Sequence, residues 1–333
     1  MTARGSFVVD VVRGEVVESS HVVHAVVADR HGTLQTWGDG RRPTIARSAI
    51  KSVQALPLVT TGAADAFEVS ETELALACSS HSAEPAHVDA VAAWLDRIGL
   101  SEDDLECGPD SPIGPELHPD YVASGLVKEP RYNGCSGKHA GFLTVLRHVG
   151  ADTAGYIHRC SPIQQMVTAA TETLTGVELG AQQPGIDGCG IPVFAVPLEN
   201  LAFAMARLVD PVDLPDDVAA AAPRVVAAAR RSFWVAGTGR TEHGIEQVAT
   251  EPVVVKAGAE GVFMGALPER GLGVAVKSAD GTARASHTAV RTLLAELGAI
   301  PAFEPEEVVN KAGARTGERR AVFSAPAEAT LER

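Results

Sequence analysis

The chain opens on runs of β-branched residues. Phe7-Val8-Val9-Asp10-Val11-Val12, Val16-Val17 and Val22-Val23-His24-Ala25-Val26-Val27 partly alternate with polar positions and predict strands. Asp29-Arg30-His31-Gly32 reads as a turn before Thr33-Leu34-Gln35-Thr36-Trp37. Residues 7–38 therefore predict a short antiparallel meander. Gly38 to Pro43 interrupt that pattern, and a helix is expected to begin near Ser48 and to run into the apolar stretch Val53–Val59.

From Ser70 to about residue 240 the apolar spacing becomes helical. Glu71–Cys78, Pro85–Leu100, Gly134–His148, Pro162–Leu174, Leu198–Val209 and Asp216–Phe233 carry Leu, Ala and Val at helix intervals. Pro223 is expected to break or kink the last of these. Residues 105–133 are rich in Pro, Gly and Asp and predict a long loop. From Pro252 the β-pattern returns in Val253–Lys256, Gly261–Met264 and Gly273–Lys277, with a turn expected at Ala257-Gly258. Thr288–Leu297 predicts a helix. The polar tail after Pro301 is expected to dock loosely or fray.

The order is strands, a long helical middle, strands, helix. It predicts an α/β (α+β) fold in which one antiparallel sheet unites both strand groups and is flanked by helices. The expected organisation is a single unit over residues 1–333. Residues 1–50 and 250–333 would form a sheet lobe, and 51–249 a large, mainly helical lobe.

Composition narrows the function. The chain has 333 residues, 45% of them hydrophobic and 21% charged, an ordinary globular balance. A net charge of −14 argues against nucleic acid or an anionic membrane as a main partner. No basic start leads into an apolar run, and no stretch of about 20 apolar residues suggests a membrane span. Cys78, Cys107, Cys135, Cys160 and Cys189 are odd in number and widely spaced. That reads as a reducing, cytoplasmic setting, with thiols serving as ligands, nucleophiles or core residues.

Several stretches carry candidate chemistry. In Arg47-Ser48-Ala49-Ile50-Lys51 a serine and a lysine stand three residues apart, on one side of a helix. Burial would lower the lysine pKa, and a neutral amine beside a hydroxyl is a base beside a nucleophile. The bland counterpart is a serine N-cap and an exposed lysine. Ser79-Ser80-His81-Ser82-Ala83-Glu84 is a polar loop that could face that site or simply cap the helix starting at Pro85. Its histidines, His81 and His87, fit no strong zinc spacing. Asn133-Gly134-Cys135-Ser136-Gly137-Lys138-His139 is not a phosphate loop, because Tyr132 stands where that loop needs its first glycine. Ile186-Asp187-Gly188-Cys189-Gly190 is a second Gly-rich loop with a thiol. Two such loops suggest a metal or a redox pair, against two buried structural thiols. Lys256-Ala257-Gly258 has the strand Lys-x-Gly pattern of the serine β-lactamase set, in the same chain order after Ser-x-x-Lys.

Jointly, Arg47–Lys51, Cys78–Ser82, Asn133–His139, Asp187–Gly190 and Lys256–Gly261 resemble the Rhizobium etli-type L-asparaginases of the asparaginase II family. The motifs span roughly residues 45–280. The resemblance implies a serine β-lactamase/glutaminase-like fold and hydrolysis of L-asparagine to L-aspartate and ammonia. It implies two Ser–Lys pairs, Ser48 with Lys51 and Ser80 with Lys256. It implies zinc at Cys135, Lys138 and Cys189. Arg47, His139, Asp187, Glu260 and Gly261 would bind substrate. It also implies a homodimer. Ala257 departs from the β-lactamase pattern by lacking the hydroxyl that would hold a β-lactam carboxylate. A glutaminase, a β-lactamase or penicillin-binding type of acylase, and an amino-acid-binding protein with a degenerate site are the alternatives.

Overall fold

A computed structural model describes residues 5–114, 116–231 and 241–324. The chain divides into two compact units. A sheet unit is formed by Met1–Ala49, Ala195–Asp210 and Gln247–Arg333, and a helical unit by Ile50–Phe194 and Pro211–Glu246. Ala195–Asp210 thus belongs with the sheet, although its sequence lies inside the helical middle.

In the sheet unit β1 (Phe7–Arg13), β2 (Val16–Asp29), β3 (Gly32–Trp37) and β4 (Pro43–Ile45) follow one another. β2 is one long strand, because Ser19-Ser20-His21 between its valine runs pairs with Val11, Asp10 and Val9 of β1. In the helical unit two short strands, β5 (Gly185–Ile186) and β6 (Pro192–Val193), pair with each other. β7 (Ala195–Pro197) pairs with β4 in the sheet unit. β8 (Val254–Gly258), β9 (Val262–Leu267), β10 (Leu272–Ser278), β11 (Glu306–Val309) and β12 (Arg315–Phe323) complete the set. The main sheet has eight strands in the order β11-β12-β1-β2-β10-β9-β8, with β3 pairing β2. Its pairings are antiparallel.

Two expectations here are corrected. Among the described residues the tail after Pro301 is paired rather than frayed: it supplies β11 and β12, and β12 pairs with β1 from Phe7↔Phe323 to Arg13↔Gly317. Its polar residues hid the strands, because they pair with one another. Glu306 takes Arg291 and Arg319, and Arg315 takes Glu318. The β8–β9 turn lies at Ala259-Glu260-Gly261 rather than Ala257-Gly258, with Glu260 and Gly261 at φ 60 and 65.

The helix Leu198–Val209 lies against β10, β2 and β9. Its approach depends on Gly273, where a Cβ would overlap the Ala202 carbonyl and crowd the Ala206 amide. The helix Ala283–Glu296 packs on β10, β9 and β12.

The helical unit is built from Glu71–Cys78, Pro85–Arg97, Ser136–Val149, Pro162–Thr175 and Asp216–Ala229. A Ser70/Glu73 capping box starts the first, and Gly150 and Gly176, both left-handed, end the third and fourth. Asp216–Ala229 is not broken at Pro223, a break being the first of the two expected outcomes there. Its buried face of Val218, Ala221, Ala222, Val225 and Ala228 offsets the lost backbone bond. The end of that expected helix, at Phe233, lies outside the described residues. The helix expected at Ser48 is instead a 3-10 turn, Arg47–Ile50, followed by the short helices Lys51–Gln54 and Leu56–Thr60. Pro57 stands in the first turn of Leu56–Thr60, where a missing N–H is tolerated, so it marks the start of a new helix. The 105–133 loop contains one short helix, Pro119–Ala123, and 3-10 turns.

The tight seating of the Leu198–Val209 helix is testable. Gly273→Ala is expected to cost about 3 kcal/mol or more, since the crowding atoms are backbone and cannot rotate away. Thermal and urea unfolding measure it; an unchanged midpoint would mean the helix does not sit on β10 in this way.

Candidate active site

In the helical unit the buried lysine is the centre. Lys51 opens its short helix and is 0% exposed. Its Nζ donates to Ser80 Oγ at 2.8 Å, to the Ser79 carbonyl at 2.8 Å and to the Gly134 carbonyl at 3.4 Å. As an ammonium the lysine head can meet these oxygens with its three hydrogens; as a neutral amine it keeps a lone pair that can accept from the Ser80 hydroxyl. Burial pushes its pKa down, and the Cys135 sulfur beside it opposes part of that shift. The resemblance sets Lys51 with Ser48; in the structure the lysine holds the hydroxyl of Ser80. Ser80 is half-buried just past the Glu71–Cys78 helix, which ends as Ser79 turns extended.

The two Gly-rich loops meet beside it. Cys135 caps the Ser136–Val149 helix, and Lys138, one turn on and nearly inaccessible, donates from Nζ to Cys189 Sγ at 3.2 Å. Cys189 is buried on the turn Asp187–Gly190, closed by the Gly190 amide donating to the Asp187 carbonyl. Asp187 Oδ2 is 3.9 Å from Cys189 Sγ. The Cys189 thiol is hydrogen-bonded to Cys135, and Lys51 and Lys138 stand close, so Cys135 is held well below the usual thiol range. The same hydrogen bond, together with burial, pushes Cys189 up. These opposite directions describe a coupled pair of thiols that loses its first proton readily and its second with difficulty. Burial alone would lower Lys138, but the two sulfurs and Asp187 hold it above the ordinary lysine value.

These donors are of the kinds zinc takes: the Lys138 amine lies 3.2 Å from Cys189 Sγ, and the Cys189 thiol is hydrogen-bonded to Cys135. Among the described residues no group of three or more His, Cys, Asp or Glu side chains could hold a metal. A third protein ligand would therefore have to be the Lys138 nitrogen. Binding would displace the protons now on Cys189 and Lys138.

His139 is buried beside this cluster, not on a solvent face. Tyr156 Oη accepts from the Glu106 amide at 2.9 Å and is hydrogen-bonded to His139 Nδ1 at 2.6 Å. His139 Nε2 has no hydrogen-bond partner among the described residues. Burial, with Lys138 and Lys51 nearby, holds His139 well below the usual imidazole range. Asn133, which sequence reasoning passed over, shapes the loop: its Nδ2 donates to the Cys107 and Gly108 carbonyls and its Oδ1 accepts from the Cys135 amide. The Asn-Gly pair at 133–134 was the signal. Tyr156 had none, lying 17 residues from its partner.

In the sheet unit, Ser48 is half-buried on the 3-10 turn, and Arg47 before it takes a left-handed φ of 51. Lys256 lies on β8, its Nζ donating to the Ala257 carbonyl at 2.7 Å. β8 runs against the Ser48 turn at Gly258, where a Cβ would stand 2.6 Å from the Ala46 carbonyl and 3.0 Å from the Ala49 amide. The Lys-x-Gly glycine therefore lets the Lys256 strand lie on the Ser48 turn. Glu260 and Gly261 form the following turn, Glu260 exposed and Gly261 buried.

The family model for L-asparaginase II matches residues 9–321. This chain belongs to the L-asparaginase II family. It is accordingly an amidohydrolase of a small-molecule substrate. No curated protein matches the chain. Among solved structures, a β-lactamase from Mycobacterium bovis aligns at 12% identity and TM-score 0.42, covering 84% of this chain and 95% of its own. Mglu in its glutamate form aligns at 16% identity and TM-score 0.48, covering 85% of this chain, which spans 63% of Mglu. A Bacillus glutaminase aligns at 13% identity and TM-score 0.47, covering 84% of this chain and 92% of its own. No helix among the described residues of this asparaginase II-family chain is long and apolar enough to cross a membrane.

The thiol electrostatics give a direct test. In chelator-treated protein, iodoacetamide near neutral pH is expected to alkylate Cys135 at least about tenfold faster than Cys78 or Cys107, because the thiolate is the nucleophile. Burial pushes both of the latter up to about 12. Peptide mass spectrometry reads the order; equal rates would remove the thiolate from Cys135.

Proposed function

We propose that this asparaginase II-family protein is a Rhizobium etli-type L-asparaginase that hydrolyses L-asparagine to L-aspartate and ammonia through a serine acyl-enzyme. The observation that carries the reading is the buried Lys51 amine hydrogen-bonded at 2.8 Å to a serine hydroxyl. A lysine with its pKa lowered by burial is a base able to serve a serine near neutral pH. Ser48 of the Ser-x-x-Lys motif is the nucleophile and Lys51 the general base. Ser80, held by Lys51, passes the proton onward, and Lys256 holds the second hydroxyl position. The leaving amide nitrogen takes a proton and departs as ammonia, and water then attacks the acyl-serine with the same base. Backbone N–H groups at a helix or 3-10 start would stabilise the tetrahedral oxyanion.

Asp187 is suited to the substrate α-ammonium and Arg47 to its carboxylate, with His139, Glu260 and Gly261 completing the binding set that the resemblance implies. Cys135, Lys138 and Cys189 would hold zinc, which when bound supplies a Lewis acid for orienting substrate rather than the attacking nucleophile. A homodimer in the cytoplasm is part of the same proposal.

Ammonia release tests the serine roles. Ser48→Ala is expected to lose at least about 10³-fold in kcat, in line with loss of a nucleophile, and Ser80→Ala about 10–100-fold. The reverse order assigns the nucleophile to Ser80, the serine that Lys51 touches. A panel of asparagine, glutamine and a chromogenic β-lactam separates the rival activities. Turnover is expected on asparagine first and none on the β-lactam, in keeping with Ala257.

Metal content is a separate test. Protein prepared without added zinc is expected to hold about one zinc per chain, as three protein ligands and an open position allow. Cys135→Ala is expected to lose it. Substoichiometric metal that is the same in wild type and Cys135→Ala would end the zinc proposal and leave the serine chemistry standing.

A further inference from the structure

Lys51 takes its oxygens from two separate loops. Ser79 and Ser80 lie on one, and Gly134 on the other. His81, which is 1% exposed, joins these loops. Its backbone N–H donates to the Gly134 carbonyl at 3.1 Å, the same oxygen that Lys51 Nζ reaches. Its ring Nδ1 accepts from the Ala83 amide at 3.1 Å, so the ring hydrogen sits on Nε2. Nε2–H donates to Ser136 Oγ at 2.8 Å, and Ser136 passes its own hydrogen to the Arg131 carbonyl at 3.2 Å. Ser136 is wholly buried and opens the helix that carries Lys138. Gly134 makes the approach possible: a Cβ there would come to 2.8 Å from the His81 carbonyl.

We propose that His81, through Ser136, is a positioning residue that aligns the Ser80 hydroxyl and the Lys51 amine for catalysis. The ring is too far along the loop chemistry to act on Ser80 itself, since both its nitrogens are already engaged. What it sets is the spacing between the loop that carries Ser79 and Ser80 and the loop that carries Gly134. Lys51 is gripped by oxygens from both, so a shift of either loop turns its amine away from the Ser80 hydroxyl. Displacements of about 1 Å at a reacting group cost on the order of 100-fold in rate. Substrate contacts are not part of this linkage, so the loss belongs in kcat.

The inference rests on the reading of Lys51 and Ser80 as catalytic groups. The experiment measures kcat, KM and the thermal midpoint for wild type, His81→Leu, His81→Gln and Ser136→Ala. His81→Leu is expected to lower kcat by about 10–100-fold with KM changed by less than about threefold, the range for misaligned rather than missing groups. His81→Gln, whose amide N–H can reach toward Ser136, is expected to recover most of that loss. Ser136→Ala keeps the histidine and removes its partner, and it carries the test if His81→Leu does not fold. The double variant is expected to lose no more than the worse single, because the two residues act as one linkage. Unchanged kcat in folded His81→Leu or Ser136→Ala overturns the proposal while the asparaginase reading stands. So does an equal loss in the Gln and Leu variants that tracks a fall in thermal midpoint. Wild type that releases no ammonia from any amide overturns the asparaginase reading and this inference with it.

Discussion

The arrangement depends on one constraint: an amine buried out of water must have each of its hydrogens met. Lys51 satisfies it with one side-chain hydroxyl and two backbone carbonyls. Neither carbonyl can be supplied by the helix that carries the lysine. The end of the Glu71–Cys78 helix and the start of the Ser136–Val149 helix must both stop where their free backbone oxygens reach it. An unmet hydrogen on a buried amine costs several kcal/mol, so loops that drift from Lys51 are strongly disfavoured. The same desolvation that makes the site demanding also lowers the lysine pKa and makes it a base.

Charge completes the helical unit's site. Besides burial, Lys138 pushes the Lys51 pKa down, while Cys135 and Cys189 pull both lysines up and offset part of that effect. Cys78 and Cys107 show the contrast. Both are buried thiols pushed up to about 12, and Cys107 merely donates to the Pro130 carbonyl at 3.4 Å. One residue type thus plays two parts. The difference lies in the cations nearby and in the Gly-rich loops that bring Cys189 against Cys135.

The sheet unit shows how far hydrophobic pattern carries. The valine runs of β1 and β2 and the glycine-flanked strands β8 to β10 were legible because a half-buried strand needs alternating or continuous apolar positions. β11 and β12 were not, since their charged residues pair with one another, Arg319 with Glu306 and Arg315 with Glu307 and Glu318, rather than with a core. Pro223 misled in the other direction. Proline in a helix removes one bond, and a long buried alanine and valine face outweighed it.

The sequence by itself determined most of the element types and the family, and it supplied the candidate residues. Ser48, Lys51, Ser80, Cys135, Lys138, Cys189 and Lys256 all stand in short motifs whose residue types are tied to a reaction. What it could not determine is which of these meet. Local spacing sets Ser48 beside Lys51 along the chain, but hydrogen bonds are made in space, and Lys51 reaches Ser80 across 29 residues. Lys138 meets Cys189 across 51, and His81 meets Ser136 across 55. Such pairings follow from how helices and loops close over a buried charge, and no periodicity along the chain records them. The tertiary structure decided them because only a folded chain has an interior in which Lys51 must find its oxygens.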